Sequence, residues 1–424
     1  MKTVDLLIIH AGQLITCAND GPKRGPAMLD VGLMEDGAVA VQDGLILDVG
    51  KTEDLIARYQ ARERLDAQGR VVMPGFVDAH THVVYAGDRA AEFEMRIQGA
   101  TYMEIMAAGG GIVSTMQAVR EASIEQLVAE TRTRLDAMLA LGTTTVEVKT
   151  GYGLSTEAEL KLLEAIARLD QTHPATLVPT FLGAHAVPPE YKGHTDDYVD
   201  LVIQEMIPAA AAWYKSSHFA QTDAPFFCDV FCEAGVCDAA QSRRVLEAGR
   251  AQGMLPKLHA DEFENLGGVT LAVEMEATSV DHLDVTPEEE MALLASSDTV
   301  AVVIPAVNFN LGSCHFADAR KLIDMGAALA LATDINPGSA PCPSMPMVMA
   351  IAARYQRLLP AEALNAATIN AAYAVGLGDV VGSLQPGKRA DILILHARDY
   401  RRLAYEFGVN PVAVVIKEGS ILLR

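Results

Sequence analysis

The chain has 424 residues, of which 50% are hydrophobic and 21% are charged. This balance excludes an intrinsically disordered protein, and the length allows one or two domains with sizeable cores. The 33 basic and 55 acidic side chains give a formal net charge of −22. Such an acidic protein is a poor binder of nucleic acid or of an anionic membrane surface. It should also repel an acidic small substrate at long range.

The N-terminus and the cysteines predict a reducing, cytoplasmic location. Residues 1–14 contain one lysine and no long apolar run before a cleavage site, so no secretory signal is evident. No uncharged apolar stretch approaches the roughly 18 residues of a membrane helix. Six cysteines are too sparse for a disulfide framework. Cys228, Cys232 and Cys237 allow a loosely spaced zinc site, but buried apolar thiols are the favoured interpretation.

Short apolar runs at both ends of the chain predict strands. The first 70 residues contain Val4–Ile9, Leu14–Thr16, Ala38–Val41 and Leu45–Val49, with a turn signal at Asp43–Gly44, and the C-terminus contains Asp391–Leu395, Val412–Ile416 and Ile421–Leu423. Neither end has enough strands for a core of its own. We therefore expect residues 1–70 and 380–424 to combine into one small β-sandwich domain.

The middle of the chain, residues 71–379, alternates apolar runs with helical patterns. The eight runs are Val72–Ala79, Thr143–Lys149, Thr176–Leu182, Phe226–Glu233, Leu255–Ala260, Thr278–Leu283, Thr299–Ile304 and Ala328–Thr333. Helices are predicted between them, including Ser114–Leu141, Thr156–Leu169, Ala239–Gln252, Pro287–Ser296 and Ala317–Met325. This alternation predicts an α/β protein with a (β/α)8 TIM-like barrel. An open doubly wound sheet is the alternative, but no Gly-x-Gly-x-x-Gly follows a first strand, and the glycine run 109–111 is predicted to be a loop.

Polar side chains stand at the carboxyl ends of the predicted strands, which meet at one face of a barrel. Five of the 11 histidines lie there, at 80, 82, 185, 259 and 282. His80 and His82 alternate along a predicted strand, so both rings face one side. Together with His259 and Asp334 they offer three imidazoles and a carboxylate, a set that suits a zinc-like cation and leaves room for a water.

Glu262 and His282 stand at the same strand ends and are not needed as ligands. We expect them to move protons for a hydrolytic reaction. Glu262 could instead be a solvated loop carboxylate, and His282 could support a ligand. Asp334 could itself accept the proton of a water while it binds the metal.

Several longer motifs resemble the amidohydrolase superfamily of metal-dependent hydrolases. They are residues 74–82 (PGFVDAHTH), 85–89 (YAGDR), 146–154 (VEVKTGYGL), 180–185 (TFLGAH), 229–233 (DVFCE), 259–262 (HADE), 333–339 (TDINPGS) and 386–391 (PGKRAD). The resemblance covers nearly the whole chain. It implies a distorted metal-bearing barrel and a small β domain built from both termini.

The resemblance is to the branch of that superfamily that hydrolyses the ring of 4-imidazolone-5-propanoate to N-formimidoyl-L-glutamate. It implies one zinc or iron ion whose ligands are His80, His82, His259 and Asp334. The metal-bound water would attack the ring carbonyl, assisted by Glu262 and His282. The implied substrate contacts are Arg89 on the carboxylate, with Tyr152, His185, Glu262, Asn336, Gly338 and Ser339. These residues could instead have no role in substrate binding: Arg89 could form a surface ion pair, and residues 336–338 could simply form a turn.

Two features depart from the superfamily pattern. In two-metal members a carboxylated lysine or a glutamate closes the fourth strand, whereas here Lys149 closes the second predicted strand and Glu233 the fourth. We expect one metal, with Glu233 supporting or packing against the site. Residues 211–225 form a segment longer than that branch of the superfamily usually has at this place, and we predict that it is an outer loop.

Three alternatives stay open for function and assembly. The chain could be another cyclic amidohydrolase or a nucleobase deaminase of the same superfamily. It could be a catalytically silent scaffold, but that hypothesis predicts lost ligands, and all four are present. A homodimer is expected because closed twofold assemblies are common.

The cation, Arg89 and the histidines would make a locally positive pocket, so the acidic body does not exclude a small carboxylate substrate.

Overall fold

The structure is a computed structural model that describes residues 1–100, 104 and 110–423. Gly109, part of the predicted loop 109–111, lies outside these residues. The strands, numbered in chain order, are β1 (Lys2–Ile15), β2 (Leu33–Gln42), β3 (Leu45–Lys51), β4 (Tyr59–Asp66), β5 (Val71–Pro74), β6 (Phe76–Asp78), β7 (Thr143–Lys149), β8 (Thr176–Ala184), β9 (Phe227–Cys232), β10 (Leu255–Ala260), β11 (Ser279–His282), β12 (Val300–Val303), β13 (Leu329–Leu331), β14 (Ile392–Leu395), β15 (Val412–Lys417) and β16 (Ser420–Leu423).

Strands β6 to β13 form the predicted parallel barrel. Each strand pairs with the next one in the sequence, from β6 to β13. A doubly wound sheet would reverse its strand order midway, so this order excludes that alternative. The barrel prediction is therefore confirmed.

Hydrogen bonds across the gap between β13 and β6 complete the ring of strands. The Asp334 N–H donates to the His80 carbonyl at 2.9 Å, and the His82 N–H donates to the Ile335 carbonyl at 3.1 Å. The Thr333 N–H and hydroxyl donate to the two carboxylate oxygens of Asp78 at 3.0 and 2.6 Å. This closure brings the chain after β6 against the chain after β13, where three predicted ligands lie.

Helices cover the outside of the barrel, and the helix Thr52–Arg58 packs on the terminal strands instead. The α-helices are Thr52–Arg58, Ala90–Ile97, Ile112–Glu121, Ile124–Ala140, Thr156–Asp170, Thr195–Leu201, Ile207–Ser216, His218–Gln221, Ala239–Ala251, Gly268–Glu274, Glu288–Ala295, Pro305–Leu311, Ala319–Met325, Met345–Tyr355, Pro360–Ala366, Ile369–Ala374 and Arg402–Tyr405, with 3-10 turns at Gly25–Leu29 and Pro189–Tyr191 and a π turn at Val202–Met206. Within the described residues, none of these helices has the length and apolar character needed to cross a membrane.

Two predictions, one of a helix and one of a loop, need correction. The predicted helix Ser114–Leu141 is two helices, because Ser123 interrupts it and its hydroxyl accepts the Gln126 N–H at 3.1 Å as an N-cap. The predicted outer loop 211–225 is largely helical and carries buried side chains such as Phe219, which lie against the barrel. Its alanine-rich start favours helix, and the sequence pattern alone did not reveal this packing.

The remaining eight strands form one sheet built from both termini, as predicted. Its order is β16-β15-β14-β5-β1-β2-β3, with β4 paired to β1. The turn between β2 and β3 places Asp43 and Gly44 at φ values of 52° and 78°, which this tight hairpin requires. Side chains from both wings, including Val39 and Ile392, share one apolar core, so the sheet curls over itself. The domain boundaries 1–70, 380–424 and 71–379 stay a prediction.

The predicted strand Val72–Ala79 is two strands in two different sheets. Val72 pairs with Leu14 in the terminal sheet, whereas Val77 pairs with Thr145 in the barrel. The change occurs at Gly75, where an added Cβ would lie 2.3 Å from the Thr144 hydroxyl. The continuous apolar run fits either sheet, so its sequence could not reveal the break. As a consequence, the strand ends at Asp78, and His80 and His82 lie in the segment that follows it.

The three clustered cysteines are buried thiols. Cys228, Cys232 and Cys237 are at most 1% exposed. Burial raises the pKa of Cys232 to about 11 and that of Cys237 to about 12. Protonated thiols are poor metal ligands, in keeping with the favoured interpretation of these residues as apolar.

Candidate active site

The chain brings three histidines and an aspartate together at the carboxyl ends of the barrel strands. The Nε2 atoms of His82 and His259 lie 3.3 Å apart. Oδ1 of Asp334 lies 3.6 Å from Nε2 of His80 and 3.6 Å from Nε2 of His82. All four side chains are buried. The ligand atoms of two overlapping trios, His80–His82–His259 and His80–His282–Asp334, lie within 4.8 Å of one another.

This cluster has the geometry and chemistry of a metal site. In a tetrahedral zinc site, two nitrogens at 2.0–2.1 Å from the ion are roughly 3.3 Å from each other. The separation of the His82 and His259 nitrogens equals that value. Nε2 of His80 and Oδ1 of Asp334 are buried with no hydrogen-bond partner in the described structure. Orphaned buried polar atoms are costly, and a shared cation would satisfy both.

Two carboxylates orient the ligand rings from behind. Nδ1 of His80 lies 2.7 Å from Oδ2 of Asp281, and Nδ1 of His259 lies 3.0 Å from Oδ2 of Asp229. The Asp281 contact is a hydrogen bond, which holds a proton on Nδ1 of His80 and leaves its Nε2 as a lone-pair donor. The Asp229 contact with His259 has ion-pair distance without hydrogen-bond geometry. Burial, with the positive charge of Lys149, lowers the pKa of His80 well below its usual value, so this ring is neutral.

Beneath the ligands, the barrel interior contains a fully buried ionic network that the sequence interpretation missed. Nζ of Lys149 lies 2.9 Å from Glu147, 2.7 Å from Asp229 and 3.4 Å from Asp281. Lys257 adds a second ammonium, 3.0 Å from Glu147. Burial alone would lower the pKa of Lys149, but the neighbouring carboxylates, Asp229 first, raise it above its ordinary value. The period-2 spacing of Glu147 and Lys149 on one strand was the available signal, since both must face inward.

His282 and Glu262 form a second wall of the site. Nδ1 of His282 lies 3.8 Å from Oε2 of Glu262. Burial, followed by the charge of Asp334, raises the pKa of Glu262 well above its usual value. A carboxyl group with a raised pKa can take up and return a proton near neutral pH, which is the property of a general acid–base group.

Glu233 holds the loop that carries Glu262. Its carboxylate accepts the backbone N–H groups of Ala234 at 2.9 Å, Phe263 at 2.9 Å and Glu264 at 3.0 Å. These bonds occupy both carboxylate oxygens. Glu233 thus supports the loop after β10, in line with the expectation that it does not bridge two metals.

Arg89 lies at the rim, half-buried, with its Nε donating to the Thr115 hydroxyl at 2.9 Å. Within the described part of the chain its guanidinium has no carboxylate partner within 4.0 Å, which disfavours the surface ion pair. A Cβ added at Gly338 would lie 2.3 Å from Nη1 of Arg89, so a larger residue there would displace the end of this side chain. The Thr115 contact uses Nε and leaves the two terminal nitrogens able to bind an anion.

Tyr152 and His185 extend the wall between Arg89 and the ligand cluster. The His185 ring stacks on the His82 ring, with centroids 4.5 Å apart and planes 6° apart. The Tyr152 ring lies 5.5 Å from that of His82 and 5.4 Å from that of His185. Burial lowers the pKa of His185 to about 3, so this ring is neutral.

The loop after β13 is held by its own hydrogen bonds. The Asn336 side-chain oxygen accepts the N–H groups of Gly338 and Ser339 at 2.8 Å each, and its Nδ2 donates to the Asp334 carbonyl at 2.7 Å. Asn310, which the sequence analysis did not single out, donates to the Ser339 carbonyl at 2.9 Å. Through these hydrogen bonds, Asn336 stabilises the turn beside Arg89.

Comparison with known proteins shows the family of the chain. The chain is 57% identical to the imidazolonepropionase of Chloroflexus aggregans over 100% of this chain and 99% of that protein, and 53% identical to that of Herpetosiphon aurantiacus over 100% and 98%. The chain belongs to the imidazolonepropionase family. Models described as "Amidohydrolase family" and "Imidazolonepropionase-like composite domain, bacteria" match residues 239–422 and 37–59.

Solved structures of more distant proteins share the fold. A zinc-bound adenosine deaminase from Xanthomonas campestris superposes with a TM-score of 0.74 at 22% identity, covering 100% of this chain and 93% of that one. A guanine deaminase from E. coli gives a TM-score of 0.71 at 16% identity, covering 99% and 98%. At such identities the likeness concerns the fold alone. The imidazolonepropionase relatives carry the family assignment.

Proposed function

We propose that this member of the imidazolonepropionase family hydrolyses 4-imidazolone-5-propanoate to N-formimidoyl-L-glutamate. The water oxygen adds to the ring carbonyl carbon, the C–N bond of the cyclic amide breaks, and a water proton passes to the released nitrogen. One observation carries the proposal: Arg89 accompanies the ligand cluster, since it lies against Gly338 in the loop that follows Asp334 and has no carboxylate partner among the described residues. A cyclic amide with a carboxylate tail needs both.

His80, His82, His259 and Asp334 would hold one zinc or iron ion. When bound, the ion would polarise the ring carbonyl and lower the pKa of a water toward ~7. Glu262, with His282 3.8 Å away, moves the proton from the attacking water to the leaving nitrogen. Asp334 is the other candidate for the first acceptance of that proton.

Arg89 would bind the propanoate carboxylate through its two terminal nitrogens. Tyr152 and His185 would flank the substrate ring; Tyr152 is buried and His185 is half-buried. Asn336, Gly338 and Ser339 would form the floor beneath the carboxylate. The Gly338 backbone is well suited to this role because its lack of a side chain leaves room for the guanidinium.

The substrate assay uses purified protein, zinc and 4-imidazolone-5-propanoate. We expect the ultraviolet absorbance of the imidazolone to disappear and N-formimidoyl-L-glutamate to accumulate in equal amount. Guanine and adenosine serve as comparison substrates. If ammonia is released from either and the imidazolone absorbance persists, the chain is a deaminase and the proposal is wrong.

We also infer a cytoplasmic homodimer that does not use nucleic acid as a partner. The cysteines are all free in the described structure, which suits a reducing compartment. The formal net charge of −22 disfavours phosphate backbones. Light scattering should give twice the mass of one chain; the mass of a single chain would rule the homodimer out.

A further inference from the structure

Lys149 is an ammonium group enclosed by carboxylates at the centre of the barrel. Its side chain is 0% exposed, as are those of Glu147, Asp229 and Asp281, which lie 2.9, 2.7 and 3.4 Å from its Nζ. Lys257, also 0% exposed, touches Glu147 and the carbonyls of Ala79 and Ala374. The network therefore combines three carboxylates with two ammonium groups.

Such a network is a poor device for stability alone. Removing charged groups from water is costly, and well-packed apolar residues often replace a buried pair without loss. A buried cluster of five charged side chains at one level of a barrel therefore calls for another role. Its position, directly behind the ligand rings, indicates what that role is.

Lys149 joins the carboxylates that orient two different ligands. Asp281 is hydrogen-bonded to Nδ1 of His80 at 2.7 Å, and Oδ2 of Asp229 lies at an ion-pair distance of 3.0 Å from Nδ1 of His259. Both carboxylates use their Oδ2 atom for the imidazole and for Lys149. Without the ammonium, two carboxylate charges would repel one another and move, and the rings they hold would move with them.

We propose that Lys149 is a positioning residue for the metal, which fixes the Nε2 atoms of His80 and His259 through Asp281 and Asp229. This inference rests on the proposed metal site. It also assigns Lys149 as a free ammonium. A carboxylated lysine would add a fourth negative charge among Glu147, Asp229 and Asp281, which are matched to a cation.

The test compares the zinc affinity of the unaltered protein with that of Lys149→Met, by competition with a chelator of known affinity. We expect the variant to bind zinc about 10- to 100-fold more weakly, as for other groups that orient metal ligands. At saturating zinc, its KM for the substrate should match that of the unaltered protein. A purely structural role would lower the melting temperature and leave zinc affinity unchanged.

The matched control is Lys417→Met. Lys417 is also buried and lies 2.6 Å from a buried carboxylate, Asp391, but in the terminal sheet. Its loss should lower the melting temperature without changing zinc affinity. If Lys149→Met and Lys417→Met bind zinc as tightly as the unaltered protein, the inference is wrong. If the unaltered protein binds no zinc, the proposed metal site fails as well.

A second variant covers the case in which Lys149→Met does not fold. Asp229→Asn keeps the shape of the side chain and an oxygen for Nδ1 of His259, but removes the charge that Lys149 holds in place. We expect zinc affinity to fall about 10-fold or more. Unchanged zinc affinity in this folded variant would overturn the proposed link between Lys149 and the ligands.

Discussion

His80, His82 and His282 are buried rings whose pKa values lie well below the usual imidazole value. Burial is the main cause, and neighbouring positive charges add to it. Each ring is therefore neutral at physiological pH, which is the form that binds a metal or accepts a proton. Arg89 is the opposite kind of residue, a cation whose terminal nitrogens have no carboxylate partner among the described residues.

Arg89→Ala tests the carboxylate contact. We expect KM to rise about 100-fold with little change in kcat, because two charge-assisted hydrogen bonds at roughly 1.5 kcal/mol each would be lost. Steady-state kinetics with saturating zinc measure this. Arg62→Ala is the control, since Arg62 is exposed and pairs with Asp5 far from the site. Equal effects of the two substitutions would contradict the assignment of Arg89.

Glu262→Gln tests proton transfer. The amide keeps the size of the side chain but cannot take up a proton, so we expect kcat to fall about 100- to 10,000-fold with zinc content unchanged. Glu264→Gln, an exposed neighbour on the same loop, should behave like the unaltered protein. A Glu262→Gln enzyme with normal kcat would shift the role of the base to Asp334.

For single residues, the sequence predicted the polar side chains at the strand ends and missed the buried ionic network beneath them. His259 and Asp334 follow apolar runs directly, so barrel geometry alone places them near one another. The spacing of Glu147 and Lys149 indicates that both face inward, but nothing local reveals that the partners Asp229 and Asp281 arrive from two other strands. Long-range charge pairing is a property of the tertiary structure.

Between single residues and the whole barrel, the segments after the strands set the site geometry. Asp261, His282 and Asp334 have φ values of 59°, 82° and 50°, a left-handed conformation that side chains other than glycine rarely adopt. Strain of this kind is typical of functional sites and persists only where the surroundings enforce it. Here the β13–β6 closure and the Glu233 loop contacts do so.

Thr333→Val tests the closure of the barrel. The substitution removes the hydroxyl that donates to Asp78 at 2.6 Å and leaves that buried carboxyl underbonded. We expect the free energy of unfolding to fall by about 1–3 kcal/mol in urea titrations. Thr133→Val, on an exposed helix face, should change it by less than about 0.5 kcal/mol. Equal losses would show that the Asp78 contact does not stabilise the closure.

For strands and helices, the predictions from the sequence were accurate where an apolar pattern is compatible with only one structure. Where the residues of a predicted barrel strand belong to a single sheet, the observed strand ends differ from the predicted ends by at most about two residues. Thr143–Lys149 is one example. The run Val72–Ala79 was misread because apolar residues suit both sheets, and only contacts at Gly75 divide it. The segment 211–225 was misread because its helices are set by packing against the barrel.

Across the whole molecule, the charge distribution separates long-range approach from local binding. A net charge of −22 repels anions at a distance, but at physiological salt this field is screened within about 8 Å. Inside the pocket the near field belongs to Arg89 and to the cation that the histidine cluster can hold. We therefore expect the acidic body to repel large polyanions without excluding a small carboxylate substrate.

Metal dependence of imidazolone hydrolysis tests the central claim most directly. Zinc is removed by dialysis against a chelator, its content is measured, and the fold is monitored by circular dichroism. We predict that the chelated protein keeps its spectrum, no longer consumes 4-imidazolone-5-propanoate, and regains activity when zinc or iron is added. Full turnover by folded protein that contains far less than one metal ion per chain would contradict the account.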